Sequence, residues 1–177
     1  NILKMDNPSI TIAMVTNGDV LDIKRLKKLF SSGLDILNIS VYDDEIAHQN
    51  FIDLVNKANV KDKVIIRPRY LPEDQDFGIT LSNRAGLINT GRHVKINKSC
   101  YYPSYTLFID YNGDALMCPH DWQKKNIIGN FKDKSVMDLW ISQRMSYARE
   151  KLLKSDRNFD PCKTCDVHGD LIGSKHA

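Results

Sequence analysis

Four cysteines are the residues of this sequence best suited to chemistry, and all of them lie in its second half. Two of them form a C-x2-C pair directly behind a proline. A C-x2-C turn brings two thiolates together, and two further thiolates complete a set of soft ligands that suits an iron–sulfur cluster or a tetrahedral zinc ion. The candidate metal ligands are Cys100, Cys118, Cys162 and Cys165.

Spacing alone leaves the identity of the metal open. The wide separations of Cys100 and Cys118 from the C-x2-C pair argue mildly against a compact zinc ribbon. A structural zinc site in a non-catalytic scaffold or binding module remains the alternative. His120 and His168 lie close to the cysteines. Because four cysteines already complete a ligand set, we expect both histidines at the surface or behind the ligands.

Composition and charge narrow the possible partners. Lys and Arg number 25 against 22 Asp and Glu, and the net charge of +3 is too small and too dispersed to predict nucleic acid or a membrane surface as a partner. The longest apolar runs are far too short to cross a membrane. The opening residues show no signal-peptide pattern, so we expect a reducing, cytoplasmic compartment, where two disulfides are less favoured than a metal site.

The first half of the chain alternates strand-like and helix-like segments. Residues 10–15 form a short apolar run that predicts a strand buried on both faces, ended by Asn17-Gly18. Apolar residues recur at helical spacing from Leu21 to Phe30. Strands joined by helices in this way pair in parallel through right-handed crossovers, so the fold class is α/β. Further predicted elements are strands at 36–41 and 64–66, a possible strand at 79–81, and a helix that Asp43 or Asp44 caps, with Ile46, Phe51, Ile52 and Val55 on its apolar face.

The second half follows a different pattern. An Asn-Gly pair separates the strand-like runs 105–110 and 114–117, which predicts a β-hairpin because both residues tolerate positive φ. Ser135 and Asp138 have the spacing of a capping box, and a helix is predicted from there through about Lys151. The buried face expected for this helix comprises Met137, Trp140, Ile141 and Met145.

The segments around the cysteines extend the pattern. They read Phe108-Ile-Asp-Tyr-Asn-Gly113, Pro119-His-Asp-Trp122, Ile128-Gly-Asn130, Ser135-Val-Met-Asp-Leu-Trp140 and Pro161-Cys-Lys-Thr-Cys165. Together with the cysteine spacing, they resemble the auxiliary-cluster extension of radical SAM enzymes, in the short form called a twitch domain, which is a relative of the SPASM domain. The resemblance implies that the four cysteines hold one auxiliary [4Fe-4S] cluster. The longer SPASM form would need further cysteines after Cys165.

The first half resembles the same family. Val15-Thr-Asn-Gly18 and Ile39-Ser-Val-Tyr-Asp43 are similar to the third and fourth strands of the radical SAM barrel. The resemblance implies the C-terminal part of a partial (β/α)6 barrel in residues 1–90. A small α+β iron–sulfur domain, built from a β-hairpin and a helix, is then expected in residues 91–177.

The resemblance also implies ligand contacts. In the family a Ser at the position of Ser40 contacts S-adenosylmethionine, and Thr16 and Asn17 lie at the carboxyl end of their strand, where parallel folds bind ligands. The segment Asn83-Arg84-Ala85-Gly86 recurs at the mouth of the barrel, which makes Arg84 a candidate contact for a polar substrate or for the methionine carboxylate. Without the resemblance, a plain turn, a satisfied strand hydroxyl and a surface ion pair account for these residues.

One part of the family pattern is missing from this sequence. Radical SAM enzymes carry a C-x3-C-x2-C loop that holds the catalytic [4Fe-4S] cluster, and a Gly-Gly-Glu-Pro segment that contacts the methionine amine. We expect both before Asn1 in a longer protein, of which this chain is the C-terminal portion, inactive alone. The full-length enzyme would bind S-adenosylmethionine and a second [4Fe-4S] cluster, and would take electrons from a flavodoxin- or ferredoxin-type reductant. It would abstract hydrogen from a sugar, an aminocyclitol or a peptide.

Overall fold

The chain divides into two compact units, residues 1–80 and residues 81–177. The computed structural model describes residues 4–5, 7–72, 75, 82–90 and 96–170. The strand expected at residues 79–81 lies outside these described residues. Within them, no helix has both the length and the apolar character that crossing a membrane requires.

A three-stranded parallel sheet lies at the centre of the first unit. Its strands are β1 (Ala13–Thr16), β2 (Ile36–Val41) and β3 (Val64–Pro68), in that spatial order. Strands that follow one another along the chain are therefore also neighbours in the sheet, as expected when helices connect them. The α/β class predicted from the sequence is confirmed.

Two helices connect the strands and cover one face of the sheet. Asp22 caps α1 (Ile23–Ser31), and Asp44 caps α2 (Glu45–Ala58), each by accepting a hydrogen bond from a first-turn amide. The prediction that Ile46 belongs to the buried side of α2 is wrong, because the buried stripe follows positions 47, 51, 55 and 58 and leaves position 46 exposed. The core that the helices share with the sheet comprises Leu26, Leu37, Ile39, Val41, Val55 and Ala58.

The opposite face of this sheet is more polar. Alternation along β2 directs every second side chain toward the helices and leaves Asn38 and Ser40, both buried, on the other face. Arg67 of β3 is paired with Ser40 in the parallel register and shares that face. One side of the sheet is therefore an apolar core, and the other presents polar groups.

β1 lies at an edge of the sheet and is more exposed than expected. The prediction of a strand buried on both faces is wrong, since Met14 and Val15 are 37% and 63% exposed. Within the described ranges β1 pairs with β2 alone. Its apolar sequence is typical of a strand with neighbours on both sides, which explains why the sequence predicted burial.

The second unit contains a small antiparallel sheet. Its strands are β4 (Phe108–Ile109), β5 (Asp114–Leu116) and β6 (Ile127–Asn130), preceded by a short helix, α3 (Tyr102–Tyr105). The predicted hairpin is confirmed as β4 and β5, with Gly113 at a φ of +91° in the connection. β6 was not predicted from the sequence, because its four residues include a glycine and do not alternate in polarity.

Two helices replace the single one predicted for residues 135–151. They are α4 (Val136–Trp140), which begins with the predicted capping box, and α5 (Gln143–Leu153). The Ser142 hydroxyl accepts a hydrogen bond from an amide of the first turn of α5 and so caps a new helix there. Because a new helix begins here, the sequence pattern does not form the one continuous helix that was predicted.

The break changes which residues are buried. Met145 is fully buried as predicted, and Leu139, which was not on the predicted face, is fully buried too. Met137 and Ile141 are 61% and 63% exposed, so their predicted burial is wrong. The residues before and after the break do not share one helical phase, and a single stripe of positions therefore cannot describe both helices.

The break generates a prediction about stability. Leu139→Ala removes a fully buried side chain and should lower the free energy of unfolding of the second unit by about 3 kcal/mol. Met137→Ala, two positions away on the same helix, should change it by less than about 0.5 kcal/mol. Urea unfolding followed by circular dichroism measures both values. Equal losses of unfolding free energy in the two variants would favour a single continuous helix with Met137 buried.

Candidate functional site

All four cysteines border a single cavity in the second unit. Cys100 reaches it from the segment before α3, Cys118 from the segment after β5, and Cys162 and Cys165 from the C-x2-C turn. Apolar neighbours include Pro103 and Met117. Among the residues that the structure describes, no three His, Cys, Asp or Glu side chains meet at one point as the ligands of a single ion do. The cysteines therefore surround a space.

Backbone amides donate hydrogen bonds to three of the four sulfurs. In each case the donor is the amide two residues after the cysteine: His120 to Cys118 and Val167 to Cys165, both at 3.4 Å, and Tyr102 to Cys100. Such bonds favour the thiolate over the thiol and orient the sulfur, and both effects prepare a cysteine to bind a metal.

Burial makes these thiols hard to ionise. It raises the pKa of all four cysteines, and that of Cys118 to about 12. Repulsion from the other three thiolates raises the pKa of Cys162 further. Without a metal the thiols stay protonated near neutral pH, so binding of a cationic centre releases protons and compensates the charge of the thiolates.

Arg157 is a buried cation beside the cysteines. Its guanidinium donates hydrogen bonds to the carbonyls of Lys98, Val167 and His168 at 3.0, 2.8 and 2.7 Å. These carbonyls belong to the segments that carry the first and the last cysteine. The positive charge also opposes the rise in pKa that burial causes at three of the cysteines. Arg157 therefore joins two cysteine-bearing segments and places a positive charge beside the cavity.

Gly169 packs directly against Cys100. Its φ is +71°, and a Cβ at this position would lie 2.1 Å from the Cys100 sulfur. The Gly169 carbonyl accepts a hydrogen bond from the Tyr101 amide at 2.8 Å. Glycine is required here both by the left-handed backbone and by the close approach to the sulfur.

The segment that carries Arg84 is strained and borders the same cavity. Arg84, Ala85 and Gly86 have φ values of +49°, +55° and +93°. Two successive non-glycine residues thus adopt the left-handed region, at a cost of roughly 1–3 kcal/mol each. Ala85 borders the cavity, and the Arg84 guanidinium lies over the Trp122 ring, 4.4 Å from its centroid. The structure therefore places Arg84 in the same unit as the cysteines.

The two histidines near the cysteines have different surroundings. His120 borders the cavity, packs edge-on against Tyr102 at 5.4 Å, and has its Nδ1 3.3 Å from the Ser82 hydroxyl. Burial and the nearby charge of Arg84 lower the pKa of His120. His168 is exposed. His120 accordingly lies beside the cysteines at the cavity, and His168 lies at the surface.

The three residues expected to contact S-adenosylmethionine lie at the carboxyl ends of β1 and β2. The Thr16 hydroxyl accepts a hydrogen bond from the Gly18 amide at 3.1 Å, and the Asn17 side chain donates to the Asp19 carboxylate at 2.7 Å. Ser40 is buried on the polar face of the sheet. The parallel register brings these residues to one end of the sheet, and their role in cofactor binding stays a prediction.

Sequence reasoning missed several residues at these sites. Arg157 stands in a polar run without periodicity, and Gly169 stands in a loop beyond the last cysteine. Asn38 is buried on the polar face of β2, and its Oδ1 has no hydrogen-bond partner within the described part of the chain. Two of these residues had a signal in the sequence. Gly169 is a glycine close to Cys165, and Asn38 is a polar residue inside an apolar strand.

Comparison with protein families assigns the segment that carries the cavity. Residues 100–166 match SPASM, a family described as an iron–sulfur cluster-binding domain. The match begins at the first cysteine and ends one residue after the last. The resemblance stated from the sequence, to a radical SAM enzyme with an auxiliary-cluster domain, is confirmed by this match and by the relatives of the chain.

The relatives extend beyond the cysteine segment. The S-adenosyl-L-methionine-dependent 2-deoxy-scyllo-inosamine dehydrogenase of Niallia circulans is 29% identical over 154 residues, which cover 85% of this chain and 58% of the dehydrogenase. The crystal structure of BtrN in complex with AdoMet and 2-DOIA has a TM-score of 0.75 at 24% identity, covering 94% of this chain and 64% of BtrN. The crystal structure of selenomethionine BtrN in an open conformation has a TM-score of 0.65 at 22% identity. The match covers 94% of this chain and 61% of that BtrN chain. The chain thus spans about three fifths of the length of these relatives, and it shares the BtrN fold.

Gly169→Ala should damage the four-cysteine site more than the fold. The added methyl group would displace the Cys100 sulfur, so we expect the affinity for iron to fall about 10–100-fold. Gly113→Ala is the matched control, because its φ of +91° is also in the left-handed region but its Cβ would meet the Asn130 side chain at 3.0 Å. Iron per chain after anaerobic reconstitution is the measurement. Equal losses in both variants would assign the effect to backbone strain alone.

Proposed function

We propose that this chain binds one auxiliary [4Fe-4S] cluster through its four cysteines, with one thiolate on each iron and no iron left open. The observation that carries the proposal is the single cavity that all four cysteines border, and these cysteines all lie in the segment that matches an iron–sulfur domain family. Complete ligation by the protein makes such a cluster an electron-transfer or structural element rather than a site for substrate.

The geometry of the cavity favours a cluster over zinc. A tetrahedral zinc ion holds its four sulfurs about 2.3 Å from one point. A cluster takes each thiolate at a different iron, which suits cysteines that surround a space, as they do in the described part of this chain. The amide donors to sulfur and the buried charge of Arg157 are the groups that stabilise an anionic cluster.

The first unit is proposed to be the C-terminal part of a partial (β/α)6 barrel. Its strands are parallel and sequential, its two helices share one face, and the opposite face bears Asn38, Ser40 and Arg67. A barrel has helices outside and ligand-binding groups toward its interior, whereas a doubly wound sheet has helices on both faces. The exposed apolar edge of β1 supports pairing with further strands of a longer protein.

Ser40, Thr16 and Asn17 are proposed as contacts for S-adenosylmethionine, and Arg84 as a contact for a polar substrate. Their support is the position of the first three at the carboxyl ends of neighbouring parallel strands. Arg84 offers a planar set of donors held over an aromatic ring. BtrN was crystallised in complex with AdoMet and 2-DOIA, which supports the same pairing of cofactor and small polar molecule in the longer protein of this chain.

For the full-length protein the proposed reaction is oxidation of a small molecule by hydrogen abstraction. S-adenosylmethionine and a second [4Fe-4S] cluster would supply the radical chemistry, with electrons from a flavodoxin- or ferredoxin-type reductant. The name of the curated relative favours an aminocyclitol or sugar over a peptide. The residues of this chain would bind and orient the substrate and keep the auxiliary cluster away from water. A functional division at residue 90 and a cytoplasmic location stay predictions.

Metal content tests the cluster directly. Anaerobic reconstitution should give a brown protein with broad absorbance near ~400 nm and about four irons per chain. Cys118→Ala should lose most of the iron because one iron loses its protein ligand. Ser104→Ala, at an exposed position of α3, should keep it. A colourless protein with one zinc per chain would contradict the cluster and support the zinc scaffold.

The chain alone should not cleave S-adenosylmethionine. Its sequence contains no C-x3-C-x2-C loop, so even the protein loaded with iron and sulfide and reduced by dithionite should form no 5′-deoxyadenosine. A longer form of the protein that includes such a loop should form it, as chromatography would show. Formation by the 177-residue chain above a no-protein control would disprove its purely auxiliary role.

Arg157→Gln should lower the reduction potential of the cluster, because removal of a buried positive charge disfavours the addition of an electron. A tenfold change in the reduction equilibrium corresponds to about 59 mV for one electron. Arg157→Lys keeps the positive charge but makes fewer hydrogen bonds, so its reduction potential should stay close to that of the wild type. Arg144→Gln, an exposed arginine of the same unit, is the control for surface charge. A redox titration followed by absorbance measures all three, and an unchanged potential in Arg157→Gln would limit Arg157 to holding its three carbonyls.

A further inference from the structure

The strained turn that carries Arg84 is attached to two of the segments that carry cysteines. Its backbone is bonded to the Cys162–Cys165 turn, and its guanidinium lies on Trp122, four residues after Cys118. The Trp122 indole in turn donates a hydrogen bond to the Pro119 carbonyl at 3.1 Å. Two separate attachments therefore connect Arg84 to the surroundings of the cysteines.

The backbone attachment is a hydrogen-bond network of Asn83, Thr164 and Asp166, called the Asn83 network below. The Asn83 amide lies 2.9 Å from both carboxylate oxygens of Asp166, and its side-chain NH2 donates to the Thr164 carbonyl at 2.6 Å. The Asn83 Oδ1 accepts from the amides of Gly86 and Asp166 at 3.2 and 3.3 Å. The Thr164 hydroxyl donates to the Ala85 carbonyl at 2.9 Å. Asn83 is buried, so its bonds are protected from competition by water.

The turn depends on these bonds for its conformation. Arg84 and Ala85 both occupy the left-handed region, which non-glycine residues adopt in succession only where the surroundings hold them there. A Cβ at Gly86 would lie 2.5 Å from the Thr164 hydroxyl, so the two segments are packed as closely as glycine allows. Thr164 lies between the two cysteines of the C-x2-C pair, and its position therefore follows theirs.

We propose that occupation of the four-cysteine site fixes the position of Arg84 through the Asn83 network. A bound cluster anchors both cysteines of the C-x2-C turn, and with them Thr164 and Asp166, which hold the left-handed turn in one conformation. Asn83, Thr164 and Asp166 are thus positioning residues that act through Arg84. The auxiliary cluster then has a second role, the ordering of a substrate-contacting arginine, and this inference rests on the proposed cluster.

Hydrogen exchange in the full chain tests the coupling. Metal-free and anaerobically reconstituted protein are compared by mass spectrometry of peptides that span residues 82–90. In the wild type, loading should slow the exchange of the Asn83 and Gly86 amides by about tenfold or more, because opening of the turn would require breaking the network. Cleavage by trypsin after Arg84 should slow in parallel, since a protease needs this segment opened.

Two variants separate the network from the metal site. Asp166→Ala removes both acceptor oxygens, Thr164→Val removes the hydroxyl donor, and both leave the four cysteines in place. Both variants should bind as much iron per chain as the wild type. In both, iron loading should no longer slow the amide exchange of residues 82–90. Lys163→Ala is the matched control in the same turn, because its exposed side chain pairs with Asp160 at 3.0 Å and should leave the slowing intact.

The outcomes distinguish the inference from the proposal it rests on. Full slowing in both iron-loaded variants, or none in the loaded wild type, would overturn the role of the Asn83 network while the cluster stands. A wild-type chain that takes up zinc instead of iron would overturn the proposed cluster. Hydrogen exchange of metal-free and zinc-loaded protein would then decide whether occupation of the site fixes the Arg84 turn. If one variant fails to fold, the other decides.

Discussion

Four thiols in a buried cavity cannot all ionise without a positive partner, and the second unit is organised around that constraint. Burial opposes ionisation at each cysteine, and each thiolate would oppose the next. The amide donors, the guanidinium of Arg157 and the close packing of Gly169 all act on this one space. The buried apolar cluster beside it has only six members among the described residues, so metal binding would contribute much of the folding free energy of this unit.

The first unit depends on a different interaction. Its sheet and two helices share an apolar core on one face, and parallel pairing gathers the strand ends at one edge. The same alternation that buries Leu37 and Ile39 against the helices turns Asn38 and Ser40 to the other side. A stable apolar core and a polar face thus come from one strand, and neither needs the cysteines.

The sequence predicted those elements best whose formation depends on interactions between residues close together in the chain. The strand at 36–41, a helix cap at Asp43 or Asp44, the hairpin turn and the capping box at Ser135 all depend on residues within a few positions of each other. The structure contains all four, with Asp44 as the cap. The exposure of β1 depends on whether another strand lies beside it, which no local pattern records. The helix break at Ser142 was missed because a serine inside a periodic run is also compatible with one continuous helix.

The candidate site divides in the same way. Cysteine is rare and its spacing is specific, so the four residues that border one cavity could be selected from residue types and spacing. Arg157 and Asn83 could not, because their side chains bond to backbone carbonyls and amides up to 83 positions away along the chain, and any residue supplies such groups. The positive φ at Ala85 has no sequence signal either, since alanine is the residue that a right-handed helix prefers.

In the described part of the chain β1 is an edge strand, and this position governs how the isolated chain behaves at high concentration. Its four residues include no charge and no proline, the features by which edge strands avoid adding another chain. A net charge of +3 over 177 residues provides weak repulsion between molecules. Self-association of this chain would then begin as β-sheet pairing at Ala13–Thr16 rather than as disulfide exchange, because none of the four cysteines is exposed. Reducing agents would not prevent such association, whereas a charged residue in place of Val15 would.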